Sequence, residues 1–264
     1  MQTKTFTYHQ TRVSYSIHGN GKPVALIHGF GEDSSIWNAQ VNALKDQFLL
    51  IVPDLPGSGA SEMLRQDDVQ IADYAEVMKA ILKEEKINSA VIIGHSMGGY
   101  ITLQFANKYP DLLNAFGLFH SGAYADDGEK IKTRKKAIEF IREKGSKAFL
   151  KTSIPGLFSD TEKSKTHIDA LIEKAGGFLP EALVQYYEAM IGRRDTTDIL
   201  KNSAKPVLFI IGEHDKAIPF RHSLQQAHLP EHASIHILRN SAHMGMLEES
   251  GRANGILAQF LHSA

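Results

Sequence analysis

The chain has 264 residues, 42% of them hydrophobic, enough to bury a substantial core without disulfides or structural metal. Its 29 basic and 30 acidic residues leave a formal net charge of −1, so no global field draws nucleic acid or an anionic membrane surface. There is no cysteine, which excludes a disulfide scaffold, a thiolate metal site and a cysteine nucleophile.

The first eight residues alternate polar and apolar side chains in the manner of an edge strand and lack the apolar core of a signal peptide. No apolar run elsewhere is long enough to span a bilayer. The expectation is a soluble, cytoplasmic protein without nucleic-acid or membrane partners, a monomer or homodimer acting on a small molecule. Short apolar runs with the length and β-branched content of buried parallel strands follow at 24–27, 48–52, 90–93, 115–119, 206–211 and 234–238. Helical patterns separate most of them, at 71–85, 100–109, 220–227 and 251–261. Strand and helix alternating in this way imply an α/β fold, a mostly parallel central sheet with helices on both faces. Between 122 and 200 the alternation stops. Helical stretches at 129–144 and 180–191 flank an apolar break at 152–158, and no convincing strand appears. This interval reads as a helical cap inserted after the sixth strand, over a core built from 1–121 and 201–264.

The segment Gly94-His95-Ser96-Met97-Gly98 joins a strand pattern to a helix pattern. Gly-x-Ser-x-Gly in that context demands a sharp turn that lifts the serine hydroxyl above the sheet edge. A serine hydroxyl is a poor nucleophile and needs a base, an orienting acid and an oxyanion site. In an open parallel sheet these belong just beyond the carboxyl ends of strands. Asp215 lies in the loop after 206–211, with Glu213 as its rival. His243 lies in the loop after 234–238, one candidate among 13 histidines. Serine, acid and histidine thus follow strand ends in a fixed order. After 24–27, the turn His28-Gly29-Phe30-Gly31 can bring its backbone close to a substrate, so the Phe30 amide pairs with that of Met97 as oxyanion donors. His28 is expected to hold this loop by hydrogen bonding and to border the pocket. No ligand spacing groups the histidines for a metal.

These motifs resemble the α/β-hydrolase superfamily. The matching residues are His28-Gly29-Phe30-Gly31, Asp54 through Ser61, Gly94 through Gly99, Gly212-Glu213-His214-Asp215 and Ser241-Ala242-His243. The resemblance spans almost the whole chain and is weakest in the cap. It implies Ser96 as nucleophile, His243 as general base, Asp215 as its acid, and Phe30 and Met97 as oxyanion donors. It also makes the segment from Asp54 a structural turn. Some members carry the acid after the sixth strand, but here 119–122 reads Phe-His-Ser-Gly, with no carboxylate until Asp126. Haloalkane dehalogenases and epoxide hydrolases of this fold use an aspartate nucleophile, so Ser96 disfavours both. Tyr186 and Tyr187 are similar to the tyrosine pair of epoxide hydrolases, but read more simply as helix residues facing core or pocket.

The expected activity is cofactor-free, metal-free hydrolysis of a small or medium carboxylic ester through an acyl-enzyme. Ile154, Leu157, Phe158, Phe178, Leu179 and Met190 in the cap are candidates for an apolar acyl pocket. Lactonase, thioesterase, carbon–carbon bond hydrolase and perhydrolase reactions are the enzymatic rivals, and a slow-turnover small-molecule receptor is the rival of another class.

Overall fold

A computed structural model describes residues 2–264. Eight strands form one sheet: β1 (Gln2–Tyr8), β2 (Thr11–His18), β3 (Lys22–Ile27), β4 (Phe48–Pro53), β5 (Ala90–His95), β6 (Leu113–Phe119), β7 (Val207–Gly212) and β8 (Ala233–Leu238). Their spatial order is β1-β2-β4-β3-β5-β6-β7-β8. The first two pairings, β1 with β2 and β2 with β4, are antiparallel, and all the others are parallel. Central strands are apolar along their whole length because helices cover both faces. Val24 to Ile27 and Ala90 to Ile93 are completely buried.

One strand goes beyond the sequence reading. β2 reads Thr-Arg-Val-Ser-Tyr-Ser-Ile-His, too polar for a buried run. Its polar groups are satisfied by neighbouring loops: the Ser14 amide donates to Ser61 Oγ at 2.8 Å, and its carbonyl accepts from the Asp54 amide at 3.0 Å. It is reached through a two-residue turn at His9 and Gln10, both at positive φ (43° and 66°), the geometry that matches the twist of a tight hairpin.

The helices are α1 (Asn38–Leu44), α2 (Ile71–Glu84), α3 (Met97–Lys108), α4 (Gly128–Lys144), α5 (Ser146–Ser153), α6 (Lys165–Lys174), α7 (Pro180–Ile191), α8 (Thr197–Lys201), α9 (Phe220–Ala227), α10 (Gly245–Glu248) and α11 (Ser250–Ser263). Five of them, α4 to α8, lie between β6 and β7. Asp127 starts this helical layer by accepting the Lys130 amide at 2.8 Å, an N-cap ahead of a charged, mostly exposed helix. Pro180 occupies the first turn of α7, where its missing N–H costs nothing. Among the described residues, no helix is long and apolar enough to cross a membrane.

The sheet places the site. From β3 the chain moves one way to β4 and later returns on the other side as β5, so direction reverses between β3 and β5. Loops leaving the carboxyl ends of two such strands diverge and leave a crevice. The turn at His28 leaves β3, and Ser96 leaves β5.

Candidate active site

Ser96 sits between β5 and α3 at φ 52° and ψ −116°. A side-chain-bearing residue in such a region costs on the order of 1–3 kcal/mol and persists only where its surroundings enforce it. Here the enforcement is close packing. A methyl group on Gly94 would run into the backbone of Gly98, and one on Gly98 would run into the Ile27 and His28 carbonyls. Hydrogen bonds complete the hold. The Ser96 amide donates to the Phe119 carbonyl at 3.0 Å, and Ser121 Oγ donates to the Ser96 carbonyl at 2.7 Å. Helix α3 begins at Met97, three residues before the expected Tyr100, because the turn itself supplies the first helical residues.

His243 Nε2 lies 2.9 Å from Ser96 Oγ, and its Nδ1 lies 2.8 Å from Asp215 Oδ2. A carboxylate only accepts, so Nδ1 carries the proton and Nε2 presents a lone pair to the serine hydroxyl. Asp215 is fixed by its other oxygen, which accepts the Ala217 and Ile218 amides at 2.8 and 2.9 Å. Burial alone would raise the Asp215 carboxyl, but His243 and these amides hold it below the usual range. Glu213 is placed elsewhere. It is partly exposed and pairs with Arg239 at 3.5 Å. The Asp126 side chain is buried but committed to Arg134 at 2.6 Å and Arg193 at 3.0 Å.

Phe30 and Met97 flank the same crevice. Among the described residues, no protein group accepts from either backbone amide. The Phe30 ring stacks on Tyr187 of α7, centroids 4.2 Å apart, and Arg134 lies over the far side of the network, 5.3 Å from the Tyr187 ring. Burial pushes the Tyr187 phenol up to about 12, so it is neutral at any working pH. Tyr186 packs edge-on against the Phe30 ring, centroids 6.3 Å apart, but its hydroxyl is engaged elsewhere. It donates to the Pro56 carbonyl at 2.7 Å and lies 2.9 Å from Ser58 Oγ.

His28 requires a correction. It does not border a pocket: it is wholly buried, with Nδ1 donating to the Gly29 carbonyl at 2.8 Å and Nε2 accepting the Leu55 amide at 2.9 Å. It is a backbone clamp between two loops. Asp54 is likewise structural, accepting the Ser34 and Ala60 amides at 2.9 Å each. Of the cap residues, Leu157 lies beside the site, its carbonyl accepting the His243 amide at 2.9 Å. Ile154, Phe158, Phe178 and Met190 are buried in the apolar core. Leu179 is corrected outright, since it is 58% exposed. A cavity of about 620 Å³ lies alongside, bordered by Tyr100, Gly122, Tyr124, Arg193, Ile218 and His222, and by none of those pocket candidates. Ser96, His243, Phe30 and Met97 do not line it, although Tyr100 follows Ser96 on α3 and the Ile218 amide is held by Asp215.

Four polar residues of the site escape the sequence reading. Glu32 and His95, the residue before Ser96, pair at 3.0 Å. His120, at φ 47°, accepts the Gly212 amide on Nδ1 at 2.9 Å, and Ser121 braces the serine turn. All act through backbone groups in a buried region, for which a single sequence has no local signature. Among the described residues, no group of three or more histidine, aspartate or glutamate side chains is placed to hold a metal ion.

The profile of a family described as alpha/beta hydrolase fold matches residues 22–121. A thermophilic esterase from Thermogutta terrifontis, solved with malate bound, superposes with a TM-score of 0.92 at 26% identity, covering 100% of this chain and 99% of that one. The chain belongs to the α/β-hydrolase superfamily. An enol-lactonase from Burkholderia xenovorans LB400 shares the α/β-hydrolase fold with a TM-score of 0.90 at 22% identity, over 98% of this chain and 100% of that one. An uncharacterised protein of Mycobacterium tuberculosis is 28% identical over 97% of this chain and 80% of its own length. In an α/β-hydrolase the expected place of the nucleophile is the turn after the strand preceding Ser96, and the cluster of loops around it is where substrate specificity varies.

Proposed function

We propose that this α/β-hydrolase is a serine hydrolase cleaving small or medium carboxylic esters through an acyl-enzyme, with residues 122–200 as its cap. The single observation carrying this reading is the line from Ser96 Oγ through His243 to Asp215, at 2.9 and 2.8 Å. Ser96 Oγ attacks the ester carbonyl carbon as its proton passes to His243 Nε2. The carbonyl oxygen becomes an oxyanion between the Phe30 and Met97 amides. Collapse breaks the bond to the alcohol oxygen, which leaves with the proton from Nε2. A water then gives its proton to Nε2, attacks the acyl carbon and releases the acid, restoring the serine. Asp215 keeps Nδ1 protonated and stabilises the imidazolium in both halves. No metal or cofactor is invoked. The cavity bordered by Tyr100 and Arg193 is where part of the substrate would be received.

Short and medium p-nitrophenyl esters, offered to the wild type and to Ser96→Ala, test this reading. Multiple turnovers that vanish in a folded Ser96→Ala variant are expected, and the chain-length trend then sizes the pocket. Turnover retained in that variant removes the nucleophile assignment. A single burst without turnover in the wild type shifts the reading to a small-molecule receptor.

A further inference from the structure

We propose that Glu32 and His95 form a positioning pair that ties the oxyanion turn, the nucleophile turn and the base loop together; this rests on the serine-hydrolase reading. One oxygen, Glu32 Oε2, accepts the Gly29 amide at 2.7 Å and lies 3.0 Å from His95 Nδ1. The other nitrogen of the same ring, Nε2, donates to the backbone carbonyl of His243 at 2.9 Å. Carboxylate and carbonyl can only accept, so both ring nitrogens carry protons and His95 is an imidazolium. Three segments therefore meet at one ion pair: the residue before Phe30, the residue before Ser96, and the backbone of the base.

The two side chains are 0% and 4% exposed. A buried ion pair is a poor source of stability, because desolvation offsets much of its attraction, and apolar packing would fill the same space. What apolar side chains could not do is join an N–H in one loop to a C=O in another. Burial by itself would drive the proton off His95 and onto Glu32, yet each partner holds the other charged. His95 is raised and Glu32 lowered from their ordinary values. The charge balance matters to the base. The His95 ring lies 4.9 Å from that of His243, so an imidazolium without its carboxylate would oppose proton uptake during attack. The other titratable groups facing the pair are Asp215 across His243, His120 with its ring 6.2 Å from that of His95, and His28 beside Glu32. Trp37 and Phe119 close the remaining sides.

Neither residue faces substrate, so both act on rate through position. The test compares wild type, Glu32→Gln, His95→Asn and the double variant by kcat and KM on a p-nitrophenyl ester, and by the rate at which a fluorophosphonate labels Ser96. Each single variant is expected to lose about 100-fold in kcat and in labelling rate, the scale of an ångström's misplacement, with KM nearly unchanged. The double variant should fall no lower than the worse single one, because one linkage is broken in all three. Losses that multiply, or a Glu32→Gln variant with full kcat, overturn the proposal. Nitrogen-15 NMR of the histidines reads the pair without any turnover. A doubly protonated His95 in the wild type at neutral pH is expected, and a neutral one overturns the pair even if the variants misfold. Wild type that hydrolyses no ester but shows protonated His95 and rapid Ser96 labelling fails the ester reading while the pair stands.

Discussion

At Asp215 the function of a single carboxylate can be separated from its neighbours. Asp215→Asn keeps the shape but offers His243 an amide N–H, which turns the imidazole to the tautomer that cannot accept from Ser96. A loss of about 10⁴-fold in kcat is expected, and His243→Ala should lose a comparable amount. Glu213→Gln should leave kcat within about threefold, as for a surface change that touches nothing in the site. Steady-state kinetics on one ester checks all three, and a damaging Glu213→Gln would transfer the acid role. These residues were legible in the sequence because a strand end, a turn and a chemically necessary residue coincide at each. Phe30 and Met97 were singled out for another reason: the role proposed for them needs only a backbone amide at a defined turn. Glu32, His95, His120 and Ser121 were not. Histidine between two turn glycines is indistinguishable from any other filler until the fold brings Glu32 and the His243 carbonyl to its two nitrogens.

Among the elements, the helical layer shows where sequence periodicity stops being informative. α4 and α7 are long enough to declare a helical pattern, and both lie close to the expected ranges. α5 and α6 are only eight and ten residues long, α5 carrying lysines alone and α6 both signs of charge, so tertiary packing decides them. β2 was hidden because its polar residues are held inside the fold, the Ser14 backbone by the Asp54–Ser61 loop and Ser16 Oγ by Val52 of β4. The layer is anchored to the sheet domain by Tyr186, whose hydroxyl reaches the Pro56 carbonyl and Ser58. Tyr186→Phe leaves that buried carbonyl short of a donor and should cost about 1–3 kcal/mol, read from urea denaturation. Because the Tyr186 hydroxyl is committed to Pro56 and Ser58 and makes no hydrogen bond to Ser96 or His243, kcat should stay near the wild-type value. A large loss of kcat with unchanged stability would place Tyr186 in the chemistry instead.

For the whole molecule, the buried histidines set how stability follows pH, and they pull in opposite directions. Burial, opposed by Asp215 and reinforced by His243 and His95, holds His120 well below the ordinary value of 6.5. The unfolded chain gains a proton as pH falls through 6.5 and the fold refuses it, so this residue erodes stability toward acid. His95, raised by Glu32 against its burial, contributes fully below 6.5 and loses that contribution only as pH climbs through its raised value. Glu32 and Asp215, both lowered, hold until pH drops below the ordinary carboxylate range. The acid-side decline between about pH 5 and 7 therefore belongs mainly to the fully buried His120, with His18 and His236, lowered by partial burial, adding to it. His120→Asn, which tolerates the positive φ, should flatten that slope in urea midpoints measured across the range. An unchanged slope would assign the decline elsewhere.

On the serine-hydrolase reading proposed above, the hydroxyl of Ser96 owes its reactivity to an imidazole 147 residues further along the chain. Between them stand an entire helical layer and three more strands, so no local fragment can assemble the pair. A nascent or misassembled molecule therefore displays an inert alcohol, safe from acylation by metabolites that the finished protein would cleave. Regain of esterase activity during refolding should consequently trail the return of helical circular dichroism. The enzyme would serve as its own indicator that the last strand has docked.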